Sequence, residues 1–436
     1  MAMTTLNPPP AVLKIARTLE DAGHETWCVG GAIRDAMLGE QHLDWDFATA
    51  ATPDQVRKIF RRTIPIGIEF GTVGVLDDAN VMHEVTTFRR DVQTDGRHAV
   101  VEFGASLDED LARRDFTINA VAYSPTRKVV HDPFHGEKDL RAGIVRAVGE
   151  PGDRMREDRL RALRAIRFAA RYGFRIEDRT WAAIVDSAPH MTRLSPERVR
   201  QEIEKTMDQV PCPSGAFAKW RDSGAFGTLI PDLAAVTALQ LHAIDHLRRP
   251  ILATRPQRRL LRIAMLLSAV PAGRSGNVMK ALRFSNAAAA WVSSLLDALT
   301  KLETLMRAAL QSAAGASDAD IRRWVSVAGR TRFASVLRLA DAKWFAEREA
   351  GQEAPTSAIV MSVYRRALRI AYRDAVELSD LAVDGTDLQK LGLSGPAVGK
   401  ALHDLLDAVV RDPSLNTPAR LLSLAKGEER PPGTGA

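Results

Sequence analysis

Apolar residues recur at helical spacing near the start of the chain. Val12, Ile15, Ala16 and Leu19 share one face of a segment from Ala11 to Ala22, and Gly23 supplies its stop. The period then shortens. Glu25 to Val29, Asp46 to Thr49, Gly71 to Leu76 and Val81 to Phe88 read as strands, and alternation in the last places Glu84, Thr86 and Phe88 on one side. Thr52-Pro53-x-Gln55 combines a capping residue, a proline in the first turn and glutamine at N3, which predicts a helix from there to about Arg62. Arg89 to His98 is polar and charged with one glycine, and reads as a mobile loop. Val129 to Gly149 supplies a strand and a short helix over about Glu137 to Arg141, closing a mixed α/β segment near residue 150.

From Thr180 the pattern is largely helical. Ser195-Pro196 starts a helix with a capping serine, continued by Glu197 to Met207. Residues 234 to 436 are rich in Ala, Leu and Arg at helical period, punctuated at Pro271–Gly276, Gly315–Ser317 and Gly351–Pro355. Leu393 to Lys400 reads as a glycine hairpin between helices, and Gly427 to Ala436 as a disordered tail. The expected class is α+β: a mixed-sheet head, then an all-α C-terminal half. There is no internal repeat.

Composition narrows this picture. A chain of 436 residues is too long for one ordinary domain. No apolar run approaches the roughly 20 residues needed to span a membrane, and the first ten residues lack the basic start and apolar centre of a secretory signal. Two cysteines, Cys28 and Cys212, exclude a disulfide framework or a cysteine zinc site and fit a reducing cytoplasm. The net charge of +6 and a pI near 9.4 favour a polyanionic partner. Four tyrosines argue against a single-strand groove built mainly from tyrosine stacking.

Chemistry concentrates at Val29 to Phe47. The Gly30-Gly31 turn leads into a helical run carrying Arg34 and Asp35, and Asp44-x-Asp46 enters a strand. Residues i and i+2 of a strand point to one side, so Asp44 and Asp46 would present paired carboxylates. Such a pair suits a hard cation, and Mg²⁺ with phosphate oxygens completing its shell is the expected one. The glycine turn offers backbone N–H groups to an anion, and Arg34 adds a charge. Glu84 is a candidate third carboxylate, or an ordinary strand Glu at the sheet edge. Arg113-Arg114-Asp115 precedes an apolar segment; Arg114 is a natural ligand for phosphate oxygens, or a salt-bridge partner of Asp115 or Asp110. Asn119 reads as structural, through backbone hydrogen bonds. His242, Asp245 and His246 look like a metal fragment without a second half, and read as surface helix residues.

Arg154 to Tyr172 is predicted helical. Asp158, Arg161 and Arg164 fall within one arc of it, Leu163, Ile166 and Ala170 opposite, and Arg167 nearer the apolar arc. Cytosine and adenine both show an amino donor beside a ring-nitrogen acceptor. An Asp acceptor beside an Arg donor matches them and rejects uracil and guanine. Asp158 and Arg161, one helical turn apart, are the candidates for that pair; the alternative for such a helix is a solvated face with i,i+3 and i,i+4 ion pairs.

These blocks together resemble a known family. Gly30-Gly31-x-x-Arg34-Asp35, Asp44-x-Asp46, Glu84 to Arg89, Arg113 to Ala120 and Glu157-Asp158-x-x-Arg161-x-x-Arg164-x-x-Arg167 resemble the nucleotidyltransferases that add CCA to the 3′ end of tRNA, and the related bacterial poly(A) polymerases. The resemblance implies a polymerase-β-type head over residues 1–150, a helical neck and body with the nucleotide-reading helix over 151–235, and a helical RNA-binding tail over 236–426. Beyond about 235 it is weak. It implies that Asp44 and Asp46 hold two Mg²⁺ and that Gly31, Arg34 and Arg114 grip the triphosphate of CTP or ATP. Asp158 and Arg161 would read the base, and Arg164 and Arg167 would serve the phosphates, the ribose or the RNA end. The loop near residue 90 would help the site change between C and A. Gly67-x-x-x-Gly71-Thr-Val looks more like the CCA-adding enzymes than the polymerases. A CC-adding enzyme working with a separate A-adding partner, a poly(A) polymerase and a non-catalytic RNA-binding protein are the alternatives.

Overall fold

A computed structural model of the protein describes residues 6–40, 45–94, 99–247 and 255–427. Asp44, the centre of the charged segment at 95–98 and the tail from 428 onward, expected to be disordered, lie outside the described residues. The chain divides into two compact units: residues 1–210 with 219–231, and residues 211–218 with 232–436.

The first unit begins with α1 (Pro10–Asp21), β1 (Thr26–Val29), α2 (Gly31–Met37), β2 (Asp46–Thr49), α3 (Pro53–Ile59), β3 (Thr63–Gly67), β4 (Thr72–Leu76) and β5 (Met82–Thr87). There follow β6 (Arg89–Thr94), β7 (Ala99–Phe103), α4 (Leu107–Ala112), a 3-10 turn over Thr117–Asn119, β8 (Ala122–Ser124), β9 (Val129–His131) and α5 (Gly136–Ala142). Seven strands form one sheet in the order β3-β4-β5-β2-β1-β8-β9, with β2 and β5 parallel and every other pair antiparallel. Both faces are covered. Cys28, Phe47, Val73, Val75 and Val85 pack with Val12, Ile15 and Leu19 of α1, while Trp27, Val29, Ala48 and Phe88 pack with Leu107 and Leu111 of α4. Burial on both faces leaves no alternation in β1 and almost none in β2, whereas β5 alternates as expected, with Glu84 exposed between the buried His83 and Val85.

Two elements differ from expectation. The helix begun by Thr52 stops at Ile59, where Phe60 turns extended at φ −106°, ψ 128°, and β3 follows; its Ile64-Pro65-Ile66 is exposed at the sheet edge, so no buried face marked it. The segment read as a mobile loop is instead largely a hairpin, β6 pairing with β7. Arg90 stands opposite Glu102 and joins it at 2.8 Å, a cross-strand ion pair that composition alone did not reveal.

The unit continues through the two-residue strand β10 (Ile144–Val145), α6 (Pro151–Glu157), α7 (Leu160–Tyr172), β11 (Arg175–Ile176), α8 (Asp178–Ser187) and α9 (Pro196–Gln209). The single helix predicted for 154–172 is broken. Asp158 is extended at φ −148°, ψ 105°, and its Oδ1 accepts from the Leu160 N–H at 3.0 Å, starting α7 afresh. Ser195 precedes α9, but its side chain makes no capping hydrogen bond. α10 (Pro213–Asp222) crosses the division and α11 (Ala225–Leu229) ends the first unit.

The second unit is helical: α12 (Ala238–His246), α13 (Arg255–Leu267), α14 (Ser275–Ala281), α15 (Asn286–Gln311), α16 (Asp318–Ala328), α17 (Phe333–Glu349), α18 (Ser357–Arg373), α19 (Gly385–Lys390), α20 (Pro396–Arg411) and α21 (Pro418–Lys426). Of the glycine hairpin expected at 393–400, residues 393–395 belong to the α19–α20 turn, with Gly395 at φ 56°, and 396–400 already form the first turn of α20. The metal-like residues on α12 do more than face solvent. His246 stacks on Phe345 and pairs with Asp341 at 3.3 Å, His242 pairs with Glu349 at 3.3 Å, and Asp245 accepts from Ser214. No helix among the described residues is long and apolar enough to cross a membrane.

Candidate active site

Strand register builds the first half of the site. β1 and β2 pair with Val29 opposite Asp46, so Gly30, which follows β1, lies next to the first residue of β2. Gly30 holds φ 79°, ψ −136°, a conformation glycine alone adopts without strain, and Gly31 then opens α2. A Cβ on Gly30 would lie 3.1 Å from Arg114 Nη1 and 3.9 Å from Asp46 Oδ2. Bare backbone, a carboxylate and a guanidinium therefore meet within a space of a few ångströms. The Asp46 charge is felt on β1: burial first, and that charge second, push the Cys28 thiol far above its ordinary range.

Arg114 pairs with Asp110 at 3.3 Å, donates to the Asn119 carbonyl at 3.4 Å, and keeps a buried Nε that has no partner among the described residues. Its salt bridge is thus to Asp110, while its tip faces Gly30. Glu84 is exposed on β5, and the register pairing Ala48 with Thr86 puts it on the same sheet face as Asp46. Among the described residues no three His, Cys, Asp or Glu side chains converge as a metal group.

Arg34 is only 4% exposed. Its guanidinium binds Asp35 at 2.7–2.8 Å and the Asn119 Oδ1 at 2.5 Å, and lies over Phe168 and Tyr172 at 4.8 and 5.0 Å. Tyr172 also donates its hydroxyl to Asp35 at 2.7 Å. These contacts fasten α2 to α7. Sequence reading missed Asn119 as a side-chain bridge: its amide donates to Asp115 at 2.8 Å while its oxygen accepts from Arg34.

Asp158 and Arg161 sit at the start of α7. Arg198 of α9 donates to Asp158 Oδ2 at 2.7 Å. Arg161 donates to Glu157 at 2.6 Å and to the Arg113 carbonyl at 3.0 Å, which places the reading pair beside the arginine run of the head. Arg164 binds Asp115 at 2.7–2.8 Å. Arg167, 3% exposed, binds the equally buried Glu202 at 2.7 Å and Gln209 at 3.1 Å. The arginine that lay toward the apolar arc is thus a buried ion pair, which explains its phase. Burial would raise the Asp115 carboxyl, but the Arg164 charge and the Asn119 amide hold it below the usual carboxylate range.

The chain is similar to known proteins in sequence and in fold. Residues 26–146 match the family described as poly A polymerase head domain, and residues 173–237 the probable RNA and SrmB- binding site of polymerase A. The CCA-adding enzyme of Leuconostoc mesenteroides is 47% identical over 195 residues, 44% of this chain and about half of that protein at 48%. That of Latilactobacillus sakei is 35% identical over 98% of this chain and 100% of its own length. The chain belongs to the CCA-adding enzyme family. The crystal structure of the Bacillus stearothermophilus member in complex with CTP is 32% identical, covers 97% of this chain and 98% of its own, and superimposes with a TM-score of 0.75. A Thermotoga maritima member complexed with tRNA shares the fold at a TM-score of 0.65 and 18% identity, over 97% of both chains.

Proposed function

We propose that this enzyme adds CMP and AMP, taken from CTP and ATP, to the 3′ end of tRNA without a template, acting in the cytoplasm. The observation that carries the reading is the meeting of Gly30, Asp46 and Arg114 at the end of β1. The family membership and the CTP complex of the Bacillus relative support it.

Family members generally use divalent metals. The bare glycine cradle beside the Asp46 carboxylate fits one, and hard oxygen donors suit Mg²⁺. Asp46, with Asp44 two residues before it, would hold the ions. When bound, they supply a lowered pKa at the attacking tRNA hydroxyl and charge neutralisation at the departing pyrophosphate. The chain's own residues position the reactants. The backbone at Gly31 and the Arg114 guanidinium take the triphosphate. Asp158 accepts from the base amino group and Arg161 donates to the ring nitrogen, each giving up part of its bond to Arg198 or Glu157. Arg34, Arg164 and Arg167 serve the nucleotide by locking α2 and α7 in place, their guanidiniums being bound to Asp35 and Asn119, to Asp115 and to Glu202. No base side chain is needed, because positioning and charge carry this class of transfer.

The test is CMP incorporation into tRNA lacking its 3′ CCA. Asp44→Ala and Asp46→Asn should each lower it by about a thousandfold or more, with the thermal midpoint unchanged. Normal incorporation by either variant would remove the metal assignment. Offered CTP alone, the enzyme should extend the tRNA by two residues; a poly(A) polymerase would ignore CTP.

A further inference from the structure

A cavity of about 970 Å³ opens within the second unit, among α12, α13, α17 and α18. That is ample for a nucleotide-sized ligand. Trp291, Tyr364 and Tyr372 line it, so two of the chain's four tyrosines gather here. Among the described residues these three rings make no ring contact and no hydrogen bond, and Tyr372 is 67% exposed. Phe345, also lining the cavity, is already stacked on His246 at 4.1 Å.

Arg338 lines the same space. It is half-buried and has no ion pair or hydrogen bond among the described residues. Burial pulls it below the ordinary arginine range, and the nearby Asp341 and Tyr364 offset only part of that. The cavity's carboxylates have other partners: Asp341 holds Ser357 and His246, and Asp245 holds Ser214. A guanidinium short of water thus lines the same cavity as three aromatic rings, with no anion bound to it among the described residues. Flat rings take a base and a guanidinium takes a phosphate. The family match over the RNA-binding segment ends at residue 237, before all of these residues.

We propose that this cavity receives one unstacked nucleotide of the RNA substrate, its base against Trp291, Tyr364 and Tyr372 and its phosphate on Arg338. The proposal rests on tRNA being the substrate. A free nucleotide has the same chemistry, and the experiment separates the two.

Full-length Tyr372→Ala, Arg338→Gln and Arg338→Lys are assayed for binding of a tRNA transcript lacking its CCA, for binding of free CMP and AMP, and for CMP incorporation. Tyr372→Ala is the control for folding, because that ring is largely exposed. Tyr372→Ala and Arg338→Gln should each weaken tRNA binding about tenfold and raise the KM for tRNA in step, with kcat and the KM for CTP held; Arg338→Lys should recover part of the loss. Unchanged tRNA affinity in both variants overturns the proposal. So does a loss confined to free CMP or AMP, which would assign the cavity to a free nucleotide. An active wild type with unaffected variants defeats this inference alone. A wild type that binds tRNA, loses binding in the variants, yet never incorporates CMP defeats the catalytic reading and leaves this one standing.

Discussion

Arg198 sits outside the blocks that carry the chemistry, yet it decides what Asp158 can do. It donates to Oδ2 at 2.7 Å while the Leu160 N–H holds Oδ1 at 3.0 Å, so the carboxylate is fixed from both ends. A charge-assisted hydrogen bond contributes about 1.5–3 kcal/mol. Arg198→Met should therefore raise the KM for CTP and ATP by about 10- to 100-fold and relax the rejection of UTP, with a smaller effect on kcat. Steady-state incorporation with each nucleotide reads both; an unchanged KM with unchanged selectivity would leave Arg198 a merely structural contact. That Asp158 and Arg161 lie side by side was legible, because they are three residues apart. Arg198 was not, because it lies 40 residues from its partner.

At the level of elements, α7 is docked on the head by side chains, and Asp115 is the pivot. It accepts from Arg164 on α7 and from Asn119 in the 3-10 turn. Its carboxyl is held below the usual range, so it binds fewer protons folded than unfolded around pH 4. The stabilisation is fully present above the unfolded value of about 3.9 and disappears as pH falls through the lower folded value. Asp115→Asn should cost about 1–3 kcal/mol at neutral pH in urea unfolding. That difference from wild type should stay flat down to about pH 5 and shrink below about pH 4. A difference that persists unchanged to pH 2 would show that the carboxylate's charge is not what holds α7. The elements that escaped sequence reading share a cause. β3 has no buried face, the β6–β7 hairpin is tied by a cross-strand ion pair, and the α6–α7 break follows from one aspartate bonding its own backbone.

Over the whole molecule, 60 Lys and Arg against 54 Asp and Glu leave a net charge of +6, and the inferred substrate is a polyanion. Phosphate contacts release counterions, so the logarithm of affinity should fall linearly with the logarithm of salt. Binding of tRNA should weaken by about tenfold or more between 50 and 200 mM salt, measured by filter binding. An affinity independent of salt would contradict recognition through phosphate. Many basic residues do not reach solvent as free charges: Arg34, Arg164 and Arg167 are committed to partners inside the first unit. Net charge therefore overstates the surface left for RNA.

What the sequence by itself determined was each unit of chemistry that fits within a few residues. The Gly30-Gly31 turn that opens α2, the Thr52 capping box and the alternation along β5 are of this kind, because backbone geometry alone fixes how such neighbours point. Only the tertiary structure decided which arginines face the site. The partners of Arg34, Arg164 and Arg167 are Asn119, Asp115 and Glu202, separated from them by 85, 49 and 35 residues. The Arg164 and Arg167 pairs exist only once α7 packs against the head and against α9, and the Arg34 pair only once α2 meets the 3-10 turn; no local periodicity encodes a contact across that distance.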